Sequence, residues 1–198
     1  LANHFYPSKR IVLLMSPHQR AIRLAFAAHQ GQMYGSHPYT YHLEQVVTNV
    51  KKWQYCIELQ EYGNSYDCLV AAWLHDVVED TSVTIEEVTE EFGKDVGDIV
   101  DRVTNIEYFD GRKLRNRREK HAKSYPRIAE SHSAIFVKLC DRIANVQACD
   151  NPQDNKNLCE MYRKEHESFE AFLKPHSPDS FAPMWSALDK ALDRVCKI

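Results

Sequence analysis

A single all-α domain is the fold this sequence predicts, and three observations carry that reading. Apolar residues recur at spacings of three and four along nearly the whole chain, strand-like alternation is almost absent, and glycine is scarce, with six in 198 residues. No internal repeat or low-complexity segment interrupts the pattern. A chain of this length fits one compact domain. Its 43% hydrophobic and 27% charged residues have the balance of a soluble globular protein whose core needs no disulfide or structural metal. Residues 1–16 are expected to be an N-terminal extension and 17–198 the domain itself.

Ile22, Ala25 and Phe26 mark a first helix ending near Gly31, and Val46, Val50, Trp53 and Ile57 mark a second. The turn-forming Gly63-Asn64-Ser65 precedes a third, carried by Leu69, Val70, Trp73, Leu74 and Val77. Thr84-Ile85-Glu86-Glu87 reads as a capping box opening a short helix that Gly93 closes. Val96, Ile99, Val100 and Val103 continue in the same style. Ile135 to Cys149 is a strongly apolar helix, because Leu139, Ile143 and Val146 hold helical spacing. Two more follow, around Leu158–Leu173 and Phe181–Val195, divided by a loop with Pro175 and Pro178.

The net charge of −3 argues against a dedicated nucleic-acid binder, which usually carries a positive excess. The distribution is uneven: from Arg112 to Arg127 there are eight basic residues and one acid, Glu119, a cluster able to gather anions. The six cysteines are scattered with no C-x-x-C pair, as reduced thiols are in a cytosolic core. The apolar run Ile11 to Met15 is too short for a signal segment or a membrane span, so a cytoplasmic protein is expected.

Chemistry concentrates on the third predicted helix. His75, Asp76, Glu79 and Asp80 stand at i, i+1, i+4 and i+5, which on one continuous helix places all four on one face. Cys68, Ala71 and Ala72 precede them on that face and, being small, would leave room for a ligand. An acidic stripe alone is usually a solvated helix face. Two features favour a site instead. The His-Asp pair lies in a long apolar context, and Asp141, with Asn145 one turn on, lies inside another very apolar segment, where a carboxylate needs a partner. A cation meeting both segments satisfies each. His42, at the start of the second helix, completes a set of two imidazoles and two carboxylates. That set suits Mn²⁺ or Fe²⁺ and is compatible with Mg²⁺ or Zn²⁺. Glu79 and Asp80, one turn beyond the ligands, are the candidate acid and base, in an order the sequence leaves open.

The segments AFAAHQGQ, PYTYH, AAWLHDVVEDT, FGKDVGDIVDRVTN and VKLCDRIAN, in this order between about Ala21 and Asn145, resemble the hydrolase domain of the RelA/SpoT family. LHDVVEDT is the most specific of them. The resemblance implies a helical HD-domain bundle that binds Mn²⁺ and removes the 3′-pyrophosphate from the alarmone (p)ppGpp, a nucleotide of the stringent response. It makes His42, His75, Asp76 and Asp141 the metal ligands, Glu79 and Asp80 the acidic pair beside the attacked phosphate, and Asn145 a residue near the nucleotide. The length lacks room for the synthetase and regulatory domains of the long enzymes, and resembles the stand-alone small alarmone hydrolases.

The chain departs from the family at several points. Tyr34-Gly35-Ser36-His37 stands where a basic R-x-S-G loop is usual, so Tyr34 and Ser36 become substrate-site candidates, with Tyr34 a flat face for the base. Ala144 replaces a frequent histidine, and Asn105 a lysine. Arg112, Lys113 and Arg115, with Arg117 and Arg118 beside them, are candidates for phosphate contact, as is Lys164, which matches an approximate late position; a solvated face is the plain alternative. His29 shares a face with Ile22 and Phe26 and is read as a hydrogen-bonded core residue, while His37, His121, His132 and His166 receive no role.

The expectation is therefore a metal-dependent hydrolase of (p)ppGpp or a close relative, with a small-molecule nucleotide as partner. The first alternative is an HD-type phosphatase for NADPH or a nucleoside monophosphate. The second is a non-catalytic nucleotide- or nucleic-acid-binding module using the basic stretch.

Overall fold

The computed structural model describes residues 15–59, 64–149 and 152–195, the side chains of 152–157 excepted. The expected extension through residue 14, Gly63 of the predicted turn, and Cys196 lie outside the described residues. Helix α1 (Pro17–Ala28) opens on a capping box in which Ser16 and Gln19 satisfy each other's backbone N–H groups. A hairpin of β1 (Met33–Tyr34) and β2 (His37–Pro38) follows, pairing Tyr34 with His37 across a two-residue loop in which Gly35 takes φ 58°. Helix α2 (Thr40–Glu58) comes next, then α3 (Ser65–Leu74), capped by the Asn64 side chain on the amides of Tyr66 and Asp67. The predicted third helix is in fact broken: α3 ends at Leu74 and a single turn, α4 (Val77–Asp80), resumes after His75-Asp76.

Helix α5 (Ile85–Phe92) has the expected capping box at Thr84 and Glu87. Gly93 (φ 93°) turns the chain directly into α6 (Lys94–Val103). The basic stretch, read by charge alone, supplies the second strand of a hairpin and then a helix. Strands β3 (Tyr108–Phe109) and β4 (Arg112–Lys113) are joined by Asp110 and Gly111, both at positive φ, and α7 (Arg117–Ala129) begins after the Asn116 cap. Helix α8 (His132–Ala148) starts at a Ser131 cap, and α9 (Pro152–Leu173), two short 3₁₀ turns and α10 (Ala182–Val195) complete the chain.

Helices α2 and α8 pack along each other, α3 packs against both, α1 and α6 pack on α3, α10 packs on α8, and α7 and α9 pack against α8 and each other. Leu43, Val46 and Val50 of α2, Val70 and Leu74 of α3, and Ile135, Phe136, Leu139 and Ile143 of α8 are buried together in one core. Cys68, Ala71 and Ala72 belong to that core, at 0% exposure, and leave no space for a ligand. Their small size serves helix packing instead. No disulfide joins the five described cysteines, and no helix among the described residues is long and apolar enough to cross a membrane.

Candidate metal centre and its cavity

Three segments bring ionisable atoms to one point. His42 lies in the first turn of α2, His75 and Asp76 in the break between α3 and α4, and Asp141 midway along α8. His42 Nε2 is 3.7 Å from Asp76 Oδ2 and 3.3 Å from Asp141 Oδ1. His75 Nε2 is 3.0 Å and 3.8 Å from the same two oxygens. One ligand atom from each of His42, His75 and Asp76 lies within 4.8 Å of the others, close enough to hold a metal ion.

The break in the helix is what aims this pair. The Ala72 carbonyl, which an uninterrupted helix would offer to the Asp76 amide, accepts the Nδ1–H of His75 at 2.9 Å. Nε2 is thereby left as the free lone pair. Asp76, at φ −106° and ψ −4°, carries the turn. His75 Nε2 is buried and makes no hydrogen bond among the described residues, although Asp76 Oδ2 lies 3.0 Å away. A buried imidazole nitrogen without a partner is costly in an apoprotein and is what a metal ligand requires. Burial opposes charging His75, but the carboxylates of Asp76 and Asp141 raise its pKa to about 9. Burial likewise opposes ionising Asp76 and Asp141. The His75 imidazole for Asp76, and Lys138 with both imidazoles for Asp141, hold each carboxyl below its usual range. The donor set fits a divalent cation, which would replace this proton-mediated balance with direct charge neutralisation.

Second contacts orient the candidate ligands. Tyr39 donates its hydroxyl to Asp76 Oδ2 at 2.6 Å, and burial and the Asp76 charge keep that phenol protonated by pushing its pKa up. His29 stacks on Tyr39 at 4.6 Å between centroids and hydrogen-bonds Gln32 through Nδ1 at 2.7 Å, so it is a buried, hydrogen-bonded residue as read from its spacing. Lys138 Nζ pairs with Asp141 Oδ2 at 3.1 Å, and Asn145 Nδ2 donates to Asp141 Oδ1. The Tyr34 ring stacks on His42 at 4.8 Å and its hydroxyl donates to Asn145 Oδ1 at 2.8 Å. One face of Tyr34 is therefore taken by the His42 imidazole.

Around this centre lies a cavity of about 220 Å³. Tyr34, Glu79, Asp80 and Asn145 line it together with His42, Asp76 and Asp141, while His75 is not among the lining residues. Glu79 is exposed on one side and accepts the amide and side-chain N–H of Asn105 at 3.0–3.1 Å, so the residue in place of the family lysine positions this acid. Burial and the charge of Asp76 raise the pKa of Asp80.

Other candidates fall elsewhere. Arg112, Lys113 and Arg115 are exposed around β4 and do not line the cavity; Arg112 and Arg115 pair with Glu119. Lys164 is exposed beside Glu160, and Ser36 sits in the hairpin loop outside the lining. From the same basic stretch it is Arg117 that lines the cavity, with His121 one turn on. Lys138, Arg142, Tyr39 and Tyr162 also line it, though the sequence reading passed them over. Lys138 and Arg142 carried the same signal as Asp141, a charge inside a very apolar helix. Tyr162 carried none, because nothing local ties α9 to the site.

A family model described as an HD domain matches residues 21–167. The bifunctional (p)ppGpp synthase/hydrolase SpoT of Escherichia coli (strain K12) is 32% identical over 143 residues, which are 70% of this chain and 19% of that protein. A probable GTP pyrophosphokinase of Mycobacterium leprae (strain TN) is 33% identical over 150 residues, 72% of this chain and 16% of its own length. A guanosine-3′,5′-bis(diphosphate) 3′-pyrophosphohydrolase of Aquifex aeolicus (strain VF5) is 37% identical over 95 residues, 46% of this chain and 13% of that one. The chain thus spans less than a fifth of these relatives. A solved structure described as a metazoan ortholog of SpoT that hydrolyzes ppGpp shares the fold, with a TM-score of 0.69, 23% identity, and 96% and 97% of the two chains covered.

Proposed function

The chain belongs to the HD-domain family, and from that premise we propose that it is a divalent-metal phosphohydrolase releasing the 3′-pyrophosphate of (p)ppGpp or of a closely related alarmone. One observation carries the reading: two imidazoles and two carboxylates converge on one point, and His42, Asp76 and Asp141 of that set line a cavity that also presents the acids Glu79 and Asp80 and the cations Lys138, Arg117 and Arg142. A binding module has no physical need to assemble an acid pair beside a ligand set. The relatives named as (p)ppGpp hydrolases support the substrate class.

His42, His75, Asp76 and Asp141 would hold the metal, with Mn²⁺ the ion we assign on the resemblance. When bound, a divalent ion lowers the pKa of a water and polarises a phosphoryl oxygen. The protein's own groups do the rest. Tyr39 and the Ala72 carbonyl hold Asp76 and His75 in register, so the centre is organised before substrate arrives. Glu79, fixed by Asn105, is placed to orient the attacking water and take its proton. As the new P–O bond forms, the bond from the 3′ phosphorus to the ribose oxygen breaks, and that oxygen takes a proton. Asp80, raised by burial and by Asp76, is suited to supply it. Guanosine diphosphate or triphosphate and pyrophosphate are the products. Cys56, Cys68 and Cys140, buried as thiols, suit a cytoplasmic setting.

The deciding experiment incubates the Mn²⁺-loaded protein with ppGpp, NADPH and nucleoside monophosphates, assaying pyrophosphate and orthophosphate separately. We expect pyrophosphate from ppGpp. Orthophosphate from NADPH or a monophosphate, with none of the first activity, would replace this reading by the general nucleotide phosphatase.

A further inference from the structure

Among the described residues, the cavity wall formed by α7, α8 and α9 holds more positive charge than its neighbours neutralise. Arg117 of α7 grips Glu165 of α9 bidentately, with Nε–Oε1 at 2.7 Å and Nη2–Oε2 at 3.2 Å. Arg142 of α8 reaches the same carboxylate only at 3.4 Å and the Tyr125 hydroxyl only at 3.4 Å. It is nevertheless 4% exposed, with its guanidinium over the rings of Tyr162 at 4.7 Å and Phe169 at 4.5 Å. Two guanidiniums therefore share one carboxylate, and among the described residues the buried one has only long hydrogen bonds for its five N–H donors. The next cation on the wall, Lys138, is committed to Asp141. The aromatic stacking fixes Arg142 as a rigid planar fork, the form in which arginine recognises phosphate.

We infer that Arg117 and Arg142, which both line the cavity, form an anion subsite for the 5′-phosphate end of the nucleotide, with Glu165, outside the cavity lining, holding the Arg117 guanidinium until a phosphate competes for it. The inference rests on the alarmone reading above and adds a division of labour: the metal centre takes the 3′ end of the substrate, and this pair takes the 5′ end. A nucleotide with a 5′-diphosphate brings the second negative charge that the wall lacks. Arg117, half exposed, is free to turn from Glu165 to that phosphate, whereas Arg142 stays in place. Selectivity for a substrate phosphorylated at both ends follows, because a nucleotide lacking the 5′ phosphates leaves the Arg117–Glu165 pair undisturbed and gains nothing from it.

The test compares wild type, Arg117→Gln and Arg117→Lys as full-length chains, since Arg117 is exposed enough to change without emptying the core. With Mn²⁺ present, kinetics are measured on ppGpp and on guanosine 3′-diphosphate. Separately, calorimetry measures binding of guanosine 5′-diphosphate, which has the 5′ group and no scissile 3′ bond. We expect Arg117→Gln to raise KM for ppGpp about tenfold with kcat retained, to leave guanosine 3′-diphosphate unaffected, and to weaken guanosine 5′-diphosphate about tenfold, the loss of a charge-assisted phosphate contact. Arg117→Lys should recover part of both losses. Equal KM changes on the two substrates, or unchanged guanosine 5′-diphosphate affinity, would overturn the subsite. Weakened guanosine 5′-diphosphate binding in a protein inert toward ppGpp would keep the subsite and remove the alarmone reading.

Discussion

Tyr39, Lys138 and Asn145 each make a hydrogen bond or ion pair to a carboxylate of the candidate ligand set, so that set is held by two neighbours on α8 and one in the connection before α2. Such supports matter because a ligand displaced by an ångström no longer closes the coordination sphere. Asp141 is the test of which carboxylates enter that sphere. In Asp141→Ala we expect bound metal and turnover to fall together, since Lys138 would then sit buried without its partner beside the ion; metal analysis of the purified variant at full occupancy would exclude Asp141 as a ligand. Glu79 should behave differently. It bonds Asn105 rather than any ligand, so Glu79→Gln should keep its metal and lose about 10²–10⁴-fold in kcat. Parallel loss of metal would make Glu79 a ligand.

At the level of elements, the interruption between α3 and α4 is the feature that helical periodicity misread. The spacing of His75, Asp76, Glu79 and Asp80 was legible, and all four do belong to one neighbourhood. What local pattern lacked was the capture of a backbone carbonyl by the His75 ring, which depends on the packed surroundings of Ala72. The basic stretch shows the converse. Its charge was obvious, but Arg112 and Arg115 turn to Glu119 while Arg117 turns to the cavity, because the β3–β4 hairpin ends just before α7 begins. Another junction is set by size. A Cβ on Gly97 would meet Thr89 Oγ1 at 2.2 Å, so α6 can approach α5 this closely only with glycine there. Gly97→Ala should lower stability by roughly 1–3 kcal/mol, the usual result of overpacking. Urea unfolding measures it, and an unchanged midpoint would show that α5 moves aside freely.

Across the whole molecule, His121 links site and stability. Burial is the largest influence on its imidazole, and with Arg117 and Arg142 nearby the pKa falls to about 4, although Glu165 pulls the other way. A histidine held neutral in the fold binds its proton more readily when unfolded. Its contribution is therefore complete above about pH 6.5 and is lost as pH falls from there through about 4. His121→Phe should thus lose less stability than wild type across that window; identical slopes in chemical denaturation at pH 7, 5.5 and 4.5 would show that His121 titrates normally. The sequence by itself determined the helical class, most of the helices and the Thr84 capping box, because periodicity and capping are local properties of neighbouring residues. It also determined which charges needed an explanation, since a carboxylate in an apolar helix is visible in any window of ten residues. Tertiary structure decided the remainder. Tyr39, Arg142 and Tyr162 join the cavity, and Arg112, Lys113, Arg115 and Lys164 stay out of it, according to how α2, α7, α8 and α9 lie against one another. That arrangement is set by burial summed over the whole core, a quantity to which no single segment contributes enough to be read alone.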